Sequence, residues 1–83
     1  MYRWKIRLET LSDAHDFLET VSKIHDEVYI RSGKYLCTSA KSALGCRMAS
    51  IEWNNLVCEC EADIYMKISK FIIEETPETA ENW

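Results

Sequence analysis

The sequence predicts an α+β fold: a four-stranded sheet with helices packed on one face and water on the other. Three observations lead there. Apolar residues alternate with polar ones in separate short segments, the pattern of strands with one buried face. Between and after them, apolar residues recur at helical spacing and form a single stripe per segment. The segments follow the order β-α-β-β-α-β-α, with no internal repeat and no second domain. One apolar face per strand and one stripe per long helix are all buried by packing helices on one side of one sheet.

The elements are justified in chain order. Tyr2, Trp4, Ile6 and Leu8 alternate with Arg3, Lys5, Arg7 and Glu9, which gives a first strand with one wet face. Ala14, Phe17, Leu18, Val21 and Ile24 share one stripe of a helix that Ser12 or Asp13 can cap. His25, near that stripe at the helix end, is expected to pack there. Glu27 to Arg31 alternates again, with Val28 and Ile30 inward. Ser32-Gly33-Lys34 supplies a hairpin turn, where glycine accepts positive φ, and Tyr35 to Thr38 returns as a short strand. Lys41 to Cys46 reads as a short helix running on toward Ala49, opened by Ser42 and stopped near Gly45. After a turn at Asn54-Asn55, Leu56, Cys58 and Cys60 point inward from a fourth strand whose wet face carries Glu59 and Glu61. Asp63 opens a last helix with Ile64, Ile68, Phe71 and Ile72 as its stripe, and Lys67 and Lys70 suit its C-terminal end. If the first and fourth strands are neighbours, Arg3, Lys5 and Arg7 face Glu59 and Glu61 in cross-strand charge pairs.

Composition narrows the function. Eighty-three residues make one small domain, here residues 1–73, and 47% hydrophobic content suffices for a core. All ten Lys and Arg precede residue 74, as do ten of the fourteen acids, so the body is close to neutral. The surplus lies in residues 74–83, EETPETAENW, whose composition predicts a flexible acidic tail. A neutral body and an acidic tail disfavour nucleic acid and anionic membrane surfaces as partners. No apolar run approaches the ~18 residues of a membrane span, and MYRWKIRLE lacks the apolar core of a signal peptide, so a cytoplasmic location is expected. Cys37, Cys46, Cys58 and Cys60 show no C-x-x-C spacing and have no histidine nearby. They read as reduced thiols, with Cys46 beside Arg47 the one to test for reactivity. No metal, cofactor or nucleophile–base pair of an enzyme is expected.

Two positions remain open on the residues alone. Ser42 is an N-cap serine and also a place where phosphate would meet orphan N–H groups. His15 is an exposed helix residue, or a phosphoryl acceptor near a helix start with Asp13 and Asp16 beside it.

The element order, together with Thr20-Val21-Ser22-Lys23, Glu27-Val28-Tyr29-Ile30, Ser32-Gly33-Lys34 and Ala40-Lys41-Ser42-Ala43-Leu44-Gly45, resembles HPr. HPr is the histidine-containing phosphocarrier of the bacterial sugar phosphotransferase system. The resemblance covers residues 1–73 and is firmest from Thr20 to Gly45. It implies an open-faced β-sandwich whose antiparallel sheet is ordered one, four, two, three, with three helices on one face. It also implies that Ser42 matches the serine phosphorylated by a dedicated kinase, and that Ala43, Leu44 and Arg47 match partner-docking positions. The family's His-Ala-Arg-Pro run at the mouth of the first helix is missing. A gap-free alignment puts Thr10 opposite the histidine, Ser12 opposite the arginine and Asp13 opposite the proline. The resemblance therefore implies a regulatory member that does not pass phosphate from histidine, with phosphotransferase-system proteins or a serine kinase as partners. Two other readings stand beside it: an active carrier using a displaced His15, and an interaction module unrelated to sugar transport.

Overall fold

The computed structural model describes residues 1–73; the predicted acidic tail, 74–83, lies outside the described residues. The chain forms β1 (Tyr2–Lys5), α1 (Leu11–Ser22), β2 (Val28–Ser32), β3 (Leu36–Ser39), α2 (Ala43–Glu52), β4 (Leu56–Cys60) and α3 (Tyr65–Ile68), then a 3-10 turn, Ser69–Phe71. The sheet is antiparallel and ordered β1-β4-β2-β3. This is the α+β architecture the sequence predicts, with the strand order the resemblance implies.

Alternation places the core. Trp4, Val28, Ile30, Cys58 and Cys60 turn to the helical side, where Ala14, Phe17 and Val21 of α1, Cys46 and Ala49 of α2, and Ile68 of α3 meet them. Phe17 meets Phe71 edge-on, with centroids 5.1 Å apart and planes at 87°. All four cysteines are free thiols, and Cys58 and Cys60 are buried as expected. Gly33 takes φ +67° in the β2–β3 turn, a conformation in which a side chain would be strained.

Four local expectations need correction. The N-cap of α1 is Thr10, not Ser12 or Asp13, so the helix starts two residues earlier than the stripe implied. His25 is exposed rather than packed. Helix α2 does not stop at Gly45 but runs ten residues to Glu52. The last helix is only four residues long, because Ile72 leaves it to bridge Ile6 at the β1 edge.

The charge pairing on the wet face holds for Glu59, but not in the form expected. Arg3 Nε donates to Glu59 Oε2 at 2.8 Å across the β1–β4 pair, and Arg31 Nε donates to the same oxygen at 3.1 Å from β2. Glu59 is only 3% exposed, because β4 is central and long basic side chains lie over it from both neighbours. Val57, between Lys5 and Arg31 in the same row, is 2% exposed for the same reason. A central strand flanked by arginines has no wet face, whatever its alternation.

Candidate functional site

Helices α1 and α2 lie antiparallel, and their two openings and the groove between them carry the chemistry predicted from sequence. At the start of α1, Thr10 Oγ1 accepts from Asp13 N at 3.0 Å. Asp13 Oδ2 in turn accepts from Glu9 N at 3.0 Å and Thr10 N at 3.3 Å. This reciprocal cap fills the position with the cap's own oxygens and a carboxylate. An arriving anion meets a carboxylate, and finds the Glu9, Thr10 and Asp13 amides already engaged.

His15 sits one turn further along, with its side chain 67% exposed and Nε2 3.3 Å from Glu19 Oε2. It lines a groove of about 360 Å³ with Leu11, Ala14 and Leu18 of α1 and Ala43, Cys46 and Arg47 of α2. The sequence places no arginine near His15, yet the fold sets Arg47 on the opposite bank. Topology makes that pairing, and spacing along the chain does not reveal it.

At the start of α2, Ser42 is half-buried, has extended backbone, and accepts from Gly45 N through Oγ at 3.0 Å. Its capping role is therefore real. Lys41, which adjacency suggested as a cation for a phosphate on Ser42, is already committed: Nζ donates to Ile24 O at 2.7 Å, just past the end of α1. At the other end of the helix pair, Ser50 Oγ lies 3.1 Å from Leu8 O and 3.2 Å from Thr10 O, bonding α2 to the segment that caps α1. Neither latch was read from the sequence, since a lysine and a serine give no signal of so distant an acceptor.

The outward side of α2 carries an apolar row. Ala43 and Arg47 are exposed, Leu44 is 68% exposed, and Met48 and Ile51 continue Leu44's row at 38% and 63%. Positions i, i+4 and i+7 share one helix face. The opposite face buries Gly45, Cys46 and Ala49 against the core. One side of α2 thus covers the core, and the other leaves a row of large apolar side chains in solvent. The spacing was legible in the sequence, but Met48 and Ile51 were missed once the helix was taken to stop early.

Cys46 is not the reactive thiol that Arg47 beside it suggested. It is 1% exposed, its Sγ donates to Ala40 O at 3.1 Å, and burial pushes its pKa from 9.0 up to about 11. Cys58 is raised in the same direction, chiefly by burial and then by Cys60, Glu59 and Cys46 nearby. A raised folded-state pKa means full stability below the unfolded value and loss as pH climbs through the folded one. The urea midpoint is accordingly expected to fall between about pH 9 and about pH 11. Cys46→Ala should show a shallower fall over that window, and equal slopes would refute the assignment. Iodoacetamide at neutral pH should label exposed Cys37 and spare the other three.

No helix among the described residues is long and apolar enough to cross a membrane. Comparison of the chain with protein-family models, with curated proteins and with solved structures finds no match in any of the three.

Proposed function

We propose that the protein is an HPr-like regulator of the sugar phosphotransferase system: it does not carry phosphate on a histidine, and phosphorylation at Ser42 switches it. The observation that carries this reading is the contrast between the two helix openings. The opening of α1 is occupied by the Thr10–Asp13 reciprocal cap, which takes up the Thr10 and Asp13 amides and sets a carboxylate where a phosphohistidine would need to place its phosphate. The opening of α2 presents a serine hydroxyl at the N-cap of a ten-residue helix beside an outward apolar row. A phosphate on Ser42 Oγ would take over the Gly45 amide and gain the positive end of the helix dipole. It would also set two negative charges next to Leu44 in the docking face of Ala43, Leu44 and Arg47, changing which partners that face accepts. The β1-β4-β2-β3 order agrees with what the resemblance implies, but fold alone does not assign function.

His15 keeps a second reading alive, because Arg47 lines the same groove and could serve a phosphate there. The two separate cleanly. Incubation with the system's phosphoenolpyruvate-dependent first enzyme should yield no acid-labile phosphate. Incubation with ATP and an HPr-type serine kinase should yield acid-stable phosphate, absent from Ser42→Ala. Acid-labile label that disappears in His15→Ala would establish a carrier and overturn the regulatory reading.

A further inference from the structure

A cavity of about 620 Å³ lies where β1 ends and β4 begins, between the β2–β3 turn and the C-terminal cap of α2. Sites for small ligands span roughly 300–1,000 Å³, so its size suits a single substituted ring. It shares no lining residue with the groove between α1 and α2. Leu36 and Leu56 supply apolar wall, and Trp53, half-buried against the core, lines the cavity with them. Glu52, Asn54 and Asn55 flank that indole along the chain and add a carboxylate and two amides. All three are exposed, and none bonds to another described residue through its side chain.

The backbone beneath these side chains is tied down. Ser32 Oγ donates to Asn54 O, joining the hairpin to the loop between α2 and β4. Trp53 N donates to Ala49 O at 3.3 Å, so the last turn of α2 carries the indole. Asn55 also serves the turn, at φ +54°, a conformation that asparagine accepts more readily than most residues.

We propose that this cavity binds a neutral pyranose sugar, with the ring against Trp53 and its hydroxyls on Glu52, Asn54 and Asn55. A hydroxyl both donates and accepts. An amide side chain answers both needs, and a carboxylate accepts from two neighbouring hydroxyls. The C–H face of a pyranose is apolar and flat enough to lie on an indole. Other ligand classes fit less well. Lys5 and Glu52 both line the cavity, so neither an anion nor a cation meets a surplus of opposite charge. An apolar ligand would cover the carboxylate and amides without replacing their hydrogen bonds to water.

Titration of the isotope-labelled full chain with glucose, galactose, mannose and N-acetylglucosamine, followed by NMR, tests it. At least one sugar should saturably shift the Trp53 indole and the Asn54 and Asn55 amides, with a millimolar dissociation constant. Sorbitol, which has the hydroxyls without the ring, should shift them far less. Asn54→Ala should weaken binding about fivefold or more, because it deletes hydrogen bonds made by an exposed side chain. The amides of α1, outside the cavity, report that the variant is folded. Absence of saturable shifts with all four sugars overturns the proposal. Equal shifts with sorbitol, or equal affinity in the Asn54→Ala variant, do the same. Shifts confined to the groove between α1 and α2 also overturn it, since the sugar then sits elsewhere.

Discussion

Phe17→Ala is expected to remove most of the protein's stability. The ring is fully buried, on the stripe of α1 that faces the sheet, and lies edge-on to Phe71. Deleting a buried phenylalanine costs about 3–5 kcal/mol through lost transfer free energy and the cavity left behind. A domain of this length has on the order of 4–12 kcal/mol in total. The effect should also spread, because Phe71 belongs to the turn that delivers Ile72 and Ile73 to the β1 edge. Urea unfolding by circular dichroism measures the loss, and Phe17→Leu, which keeps much of the volume, should lose less than half as much. A drop below about 1 kcal/mol for the alanine variant would mean that α1 is not seated as described.

Gly45→Ala should lower stability by about 1–3 kcal/mol, although the same change in an open helix interior stabilises by about 1 kcal/mol. The sign reverses because of Thr38. A Cβ at position 45 would collide with Thr38 Oγ1 and lie 2.9 Å from its Cγ2. Thr38 is β-branched, on a strand paired to β2, and has little freedom to turn away. Gly45 is therefore the point of close approach between α2 and β3, and this explains a glycine in the first turn of a helix that continues past it. Thr38→Ala removes the two nearest atoms, so the double variant should recover most of the loss. A double-mutant cycle of urea midpoints reads that coupling, and strictly additive losses would contradict the contact.

The two glycines mark the boundary of what the sequence discloses. Gly33 read correctly as a turn residue because the need for positive φ is local. Gly45 read wrongly as a stop, because its reason sits on another strand. The same division runs through the rest of the fold. Strand alternation and helix stripes, from Trp4 to Ile68, are local patterns, and they produced the element order. Glu59 has a polar neighbour pattern and yet is buried, since only the sheet order brings arginines over it from both sides. The last helix was overrun because Ile72 keeps the helical spacing while pairing with a strand. At the candidate site, the serine cap at Ser42 was legible. The acidic residues at the α1 opening were legible too, but their reciprocal cap with Thr10 was not. The position of Arg47 across from His15 was invisible too, because it follows from antiparallel packing of two helices far apart in sequence.

The Lys41 and Ser50 bonds have a consequence for recognition. One holds α2 to the finish of α1 and the other holds it to the start, so the valley between the helices is pinned at both extremities. Such a valley keeps a set width, so any molecule tested against it would meet a preformed shape rather than one moulded on contact.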